Sequence, residues 1–262
     1  MELPLYQVDA FASRLFAGNP AAVCPLSQWL PDATMQAIGA ENNLSETAFF
    51  VPRNGTNGDY DLRWFTPTIE IDLCGHATLA SGFVVMTRLA PQRNEVRFHT
   101  KSGALVVTRH GDRFALELPA QPPTPATMPA RAIEALGRRP AQVLAATKYL
   151  AVYDSEADVA ALQPDLVVLK DIDRDGVIVT APGRDCDFVS RYFAPHAGVP
   201  EDPVTGSAHS TLVPYWAKRL GKKILQARQI SERGGDLACE DRGERVSLSG
   251  NAVLYLEGRI HV

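Results

Sequence analysis

A glutamate, a cysteine, a histidine and an aspartate have the types and neighbours that suit proton chemistry. Glu46 stands in Asn42-Asn43-Leu44-Ser45-Glu46-Thr47-Ala48-Phe49-Phe50, between a helical stretch and an apolar strand. A carboxylate beside such a strand sheds part of its water, which suits a general base. Cys74 and His76 flank Gly75 at the start of a long apolar stretch. Asp202 precedes Pro203, and Thr205, Gly206, Ser207 and His209 follow at the start of a second such stretch. Histidine and aspartate serve as acid, base or orienting groups. Each residue also has an ordinary structural use: His76 as a satisfied core histidine, Asp202 as a turn or N-cap residue, Ser207 as a helix cap. Cys74 with His76 does not complete a metal site, so no metal is expected.

The elements that must hold these residues come in two similar sets. Gly75-His76-Ala77 and Gly206-Ser207-Ala208 open the stretches Gly75–Leu89 and Gly206–Leu220, which read as buried helices. The first turn of a helix presents unpaired N–H groups and the positive end of the dipole, and glycine lets a ligand come close to that backbone. Each start is therefore expected to bind a carboxylate or phosphate. Strand-like alternation occurs at Tyr60–Phe65, Phe114–Leu118, Val177–Thr180 and Val246–Leu248. Turn signals at Asn54-Gly55, Asn57-Gly58 and His110-Gly111-Asp112 point to antiparallel sheet or barrel. The expected fold is α+β, with a helix wrapped by strands in each half.

The halves are related in sequence. Arg63-Trp64-Phe65-Thr66-Pro67 recurs as Arg191-Tyr192-Phe193-Ala194-Pro195, an offset of 128 residues (63 to 191). Glu70, Gly75 and Ala77 recur as Glu201, Gly206 and Ala208, an offset of 131 (70 to 201). Arg97, Gly103, Gly111, Arg113 and Leu116 have collinear counterparts in Arg228, Gly234, Gly243, Arg245 and Leu248. Two copies of a unit of about 130 residues are expected, each the size of a small domain. The first lobe spans 1–118 and the second 130–262, with the C-terminal residues free to return to the first. The segment 119–129 holds five prolines and reads as a stiff connector. A site between the copies is the natural expectation.

Composition narrows the partners. The 262 residues carry a net charge of −4 with no basic run, which disfavours nucleic acid. No apolar run approaches the ~18 residues of a membrane span, and no secretory signal opens the chain. Four separated cysteines (Cys24, Cys74, Cys186, Cys239) without a CxxC suit reduced thiols in a cytoplasmic protein.

Several motifs resemble one known family. They are Asp9-Ala10-Phe11, Gly18-Asn19-Pro20-Ala21-Ala22-Val23, Asn43-Leu44-Ser45-Glu46-Thr47-Ala48-Phe49, Phe65-Thr66-Pro67-Thr68, Cys74-Gly75-His76-Ala77-Thr78 and Asp202-Pro203-Val204-Thr205-Gly206-Ser207-Ala208. Together they resemble the phenazine-biosynthesis PhzF-like isomerases over nearly the whole chain. The resemblance implies the diaminopimelate-epimerase-like fold, with two pseudo-symmetric lobes, each a barrel-like sheet around a helix. It implies Glu46 as the proton-shuttling acid/base, with His76 and Asp202 orienting the substrate. It implies substrate contacts from Cys74, Gly75, Gly206 and Ser207. It also implies no metal or organic cofactor, and a homodimer.

Related cofactor-independent racemases use a cysteine from each lobe, yet here the repeat sets Thr205 against Cys74. A two-thiol epimerase is thereby disfavoured, whereas one carboxylate can remove and return a proton on one face. The expected activity is a proton-shifting isomerisation of a small carboxylate substrate. Its rivals are a racemase or epimerase using Cys74 and a non-catalytic small-molecule-binding protein of the same fold.

Overall fold

The computed structural model describes residues 1–56 and 58–262; Asn57, part of the turn expected at Asn57-Gly58, lies outside them. The chain divides into one unit of Met1–Glu117 with Ser249–Val262 and another of Leu118–Leu248.

The first unit opens with β1 (Glu2–Ala10), β2 (Asn19–Pro25), α1 (Asp32–Asn42), β3 (Glu46–Pro52), β4 (Tyr60–Phe65) and the short β5 (Glu70–Ile71). It continues through α2 (Gly75–Val84), β6 (Glu95–Thr100), β7 (Gly103–His110) and β8 (Arg113–Pro119). The second unit carries β9 (Thr124–Pro125), α3 (Ala130–Ala135), β10 (Gln142–Ala145), β11 (Tyr149–Val152), α4 (Glu156–Ala160) and α5 (Leu166–Leu169). It then adds β12 (Val177–Pro182), β13 (Phe188–Phe193), α6 (Gly206–Leu220), β14 (Ile224–Gln229) and β15 (Gly235–Asp241). Strand β16 (Arg245–His261) begins in the second unit and ends in the first.

In the first unit β1, β2, β3, β4, β6, β7, β8 and β16 follow one another in hydrogen-bonded order. β16 also pairs with β1, from Glu2 opposite His261 to Ala10 opposite Ala252, and so closes an eight-stranded barrel. All ten residues of α2 are buried, and the helix packs on β1, β2, β3, β6 and β7. Its apolar, small-residue sequence suits a helix enclosed by strands. The hydroxyls of Thr78 and Ser81 donate to the carbonyls of Cys74 and Ala77, which satisfies them inside an apolar wall. The helical span expected to reach Leu89 does so, as α-helix to Val84 and π-helix over Val85–Leu89.

The second unit repeats the plan. Its pairs β10/β11, β11/β12, β12/β13, β13/β14 and β14/β15 are antiparallel, parallel, antiparallel, parallel and antiparallel. The pairs β1/β2, β2/β3, β3/β4, β4/β6 and β6/β7 have the same senses in the same order. The helix α6 covers Gly206–Leu220, the span expected, and buries Trp216 in a stack on Phe188 with ring centroids 5.6 Å apart. The repeated Arg and Glu form the same bidentate pair twice. Arg63 donates to Glu70 from Nε and Nη2, both at 2.8 Å. Arg191 donates likewise to Glu201, at 2.7 and 2.8 Å.

Residues 119–129, expected as a stiff connector between the lobes, are built into the second unit. Thr124–Pro125 pairs with Leu144–Ala145, and Met128 is buried. The position of β9 at the end of the strand order explains its tolerance of proline, because an edge needs fewer N–H donors.

Candidate active site

Glu46, Cys74 and His76 meet in the first unit. Glu46 is the first residue of β3, held in parallel register opposite Ala21 of β2. The chain reaches it from α1 through Asn43, whose left-handed conformation (φ 49°) ends that helix. Cys74 is the N-cap of α2, and His76 lies in its first turn. His76 Nε2 is 3.1 Å from Glu46 Oε2, without the alignment of a full hydrogen bond. Its Nδ1 faces Asn19 Nδ2 at 3.0 Å and Cys74 Sγ at 3.5 Å. All four side chains are buried.

Asn19 owes its place to Gly18. The backbone there has φ +66°, and a Cβ would lie 2.2 Å from the Ala10 carbonyl oxygen. With its amide nitrogen towards Nδ1, Asn19 donates, so the ring proton sits on Nε2 facing Glu46. A doubly protonated ring requires the Asn19 amide to present its oxygen instead.

Burial alone would push the His76 pKa down. The interactions of the ring with Cys74 and Glu46 outweigh it and hold the imidazole well above its ordinary value. Burial, reinforced by Glu46, pushes the Cys74 thiol up to about 11, against the opposing pull of His76. At neutral pH Cys74 is therefore a thiol and a poor nucleophile. The Ala77 N–H faces the sulfur of Cys74 at the N-cap, and the N–H groups of Gly75 and His76 make no hydrogen bond within the described residues. They are free to bind an anion.

One ligand atom from each of Glu46, Cys74 and His76 falls within 4.8 Å of the others. The imidazole stands between its partners, with the thiol on the Nδ1 side and the carboxylate on the Nε2 side. One ring nitrogen binds one ion, so an ion on Nδ1 would lie away from Glu46. The arrangement suits passage of a proton better than a chelate.

Asp202, Thr205, Gly206 and Ser207 meet in the second unit. Thr205, the N-cap of α6, donates from Oγ1 to Asp202 Oδ2 at 2.5 Å. Buried Gln229 accepts from the Thr205 N–H at 2.9 Å and donates to the Asp202 carbonyl at 2.6 Å. Asp202 is thus neither the N-cap nor a loose turn residue. Ser207 sits inside the first turn of α6 and does not cap it. His209 bonds the Thr205 carbonyl through Nδ1, and burial takes its pKa down to about 4, so it is neutral.

The family model described as phenazine biosynthesis-like protein matches residues 8–258. The chain belongs to the phenazine biosynthesis-like family. An uncharacterized isomerase of Pseudomonas aeruginosa is 55% identical over 262 residues, covering all of both chains. The human phenazine biosynthesis-like domain-containing protein is 39% identical over 288 residues, covering 99% of each. A PhzF-family crystal structure from Enterococcus faecalis superposes with TM-score 0.93 at 45% identity, again covering all of both chains. A hydroxyproline epimerase from Agrobacterium vitis shares the fold, with TM-score 0.64 at 12% identity over 99% of this chain and 92% of its own. Membership of the phenazine biosynthesis-like family places the protein among isomerases.

Asn19, Gln229 and Lys148 touch or flank these groups without having been singled out from sequence. Asn19 was visible only as part of a Gly-Asn-Pro motif. Gln229 ends an ordinary alternating strand, and strand register alone brings it to Thr205.

Proposed function

We propose that the protein is a cofactor-independent isomerase that shifts a proton on a small substrate bearing a carboxylate. The observation that carries this reading is the buried contact of Glu46 Oε2 with His76 Nε2 beside the open amides of α2. Glu46 takes a proton from an acidic carbon, and the C–H electron pair passes into the adjoining carboxylate or conjugated system. The amides at the start of α2 bear the negative charge that develops. Glu46 then returns the proton to a second carbon, and the double bond moves. His76 holds the Glu46 carboxyl in place through both transfers. We assign Asp202, Gly206 and Ser207 to substrate binding as well. The high pKa of Cys74 and the threonine at the equivalent place in the second unit support a carboxylate, rather than a thiol pair, as the base.

The test is proton exchange in deuterated water, followed by NMR across a set of small carboxylates. The wild-type protein is expected to place deuterium on carbon in at least one of them. Glu46→Gln is expected to bind that compound with similar affinity and to lose exchange by about 1,000-fold, within the range acid/base residues contribute. Exchange undiminished in Glu46→Gln and lost in Cys74→Ser would transfer the role to the thiol.

A further inference from the structure

The two units use the same frame with different chemistry at one position. Phe65 and Phe193 correspond through the repeated Arg-aromatic-Phe motif. Thr47 pairs with Phe65, and Val177 with Phe193, so Glu46 corresponds to Gly176. Ala22 pairs with Thr47, and Tyr149 with Val177, so Ala21 corresponds to Lys148. The first unit has an acid opposite an alanine; the second has a glycine beside a lysine. Nothing larger fits at Gly176, where φ is +127° and a Cβ would lie 2.4 Å from the Phe193 carbonyl oxygen. Cys74 and His76 likewise give way to Thr205 and Ser207.

Lys148 is only 7% exposed. Its ammonium lies over the Tyr192 ring, 5.7 Å from the centroid, and makes no ion pair or hydrogen bond within the described residues. Burial pulls the Lys148 pKa down, and the charges of Asp175 and Asp202 oppose this. Those carboxylates help keep the amine charged yet leave its three N–H donors open. The turn that carries it is fixed: Arg174 donates to the Ala146 carbonyl at 2.6 Å, Asp175 N–H to the Thr147 carbonyl at 3.3 Å, and Tyr192 Oη to the Asp175 carbonyl. A buried cation without a partner is costly to keep unless a ligand completes it. The Tyr192 backbone continues the link from Lys148, its carbonyl accepting from the Asp202 N–H at 3.0 Å, and Asp202 bonds Thr205 at the start of α6, where the amides of Gly206, Ser207 and Ala208 are open among the described residues.

We propose that the second unit is a binding copy of the fold in which Lys148, with the open start of α6, recognises the carboxylate of a ligand. The inference rests on the isomerase reading for its substrate, and it adds the residue that selects for negative charge.

The test compares binding of acetate, lactate and alanine with acetamide, lactamide and alaninamide to the full chain. Ligand-observed NMR and calorimetry provide the readout. At least one carboxylate is expected to bind the wild type more tightly than its amide. Lys148→Met should weaken that carboxylate 10-fold or more and leave the amide unchanged. Lys148→Ala should regain carboxylate binding when propylammonium is added, which a purely structural lysine would not do. Thermal melts of Lys148→Met and Lys148→Gln check folding, and either folded variant suffices. Carboxylate binding unchanged in a folded variant, equal loss of acid and amide, or no preference in the wild type overturns the proposal. Glu46→Gln should bind the carboxylate as the wild type does. Failure of the Glu46 exchange test therefore leaves Lys148 standing, and failure at Lys148 leaves Glu46 standing.

Discussion

His76 is a ring held between three unlike neighbours, and its protonation reports which one dominates. The 3.1 Å approach to Glu46 favours the charged ring, while donation from Asn19 to Nδ1 favours the neutral one. The net direction is upward from the ordinary histidine value. In an NMR titration His76 should accordingly remain charged above pH 6.5, and Glu46→Gln should lower its midpoint by a unit or more. The linkage has a definite sign. A folded pKa above the unfolded one gives stability that is fully present below about pH 6.5 and is lost as pH rises through the folded value. Urea midpoints of wild type and Glu46→Gln should therefore differ more at pH 6 than at pH 9. A His76 midpoint unmoved by Glu46→Gln would show that the contact carries no charge. Glu46, Cys74 and His76 were legible from local motifs, because each lies at a visible junction of helix or strand. Asn19, Lys148 and Gln229 were not, since only the pairing of strands distant in sequence brings them to their groups.

At the scale of elements, the arginine–glutamate pairs explain why the repeat survived where it did. Arg63 on β4 grips Glu70 on β5 with two donors, and Arg191 on β13 grips Glu201 in the same manner. These pairs brace the loops that lead from β4 into α2 and from β13 into α6. The positions most readable as a duplication thus fix the helix starts, and they are not the reacting groups. Hydrogen bonds from Arg63, then Lys101, take the Glu70 carboxyl down to about 2 despite partial burial. Its folded pKa lies below the unfolded one, so its contribution is complete above about pH 4.5 and fades as pH falls towards 2. Arg63→Met should cost about 2 kcal/mol near neutrality, less than a fully buried pair because both side chains still touch water. That cost should shrink through the same acid window. Denaturant midpoints at pH 7, 4 and 2.5 measure it, and a cost independent of pH would mean that Arg63 acts through its packing on Trp29 and Phe65 instead.

On the scale of the whole molecule, duplication was readable and the C-terminal residues were left free to return to the first lobe, but which strand closes the barrel was not readable. A repeat in sequence records kinship between segments and is silent on which strand completes which barrel. Most of the last strand, from Ser249 on, belongs to the first unit, although sequence order places it after the second. Its residues Ala252–Leu254 and Leu256–His261 lie opposite β1, and Arg113 on β8 donates to the Ser249 carbonyl at 3.2 Å. Without them β1 and β8 would both be open edges, and the strands around α2 would lose the ladder that closes them. A chain ending at Leu248 is therefore expected to lose the first unit's slow amide exchange, at Val8, Val23 and Phe49 above all. The ladder in β10–β13 should keep its protection better, because none of its pairs involves β16. Because the missing piece is one contiguous strand, a synthetic peptide of residues 249–262 should restore protection in the first unit when added in trans. Full protection of Val8 and Phe49 in the truncated chain would mean that seven strands hold the helix without closure. Loss that the peptide cannot reverse would mean that β16 must be present while the barrel folds.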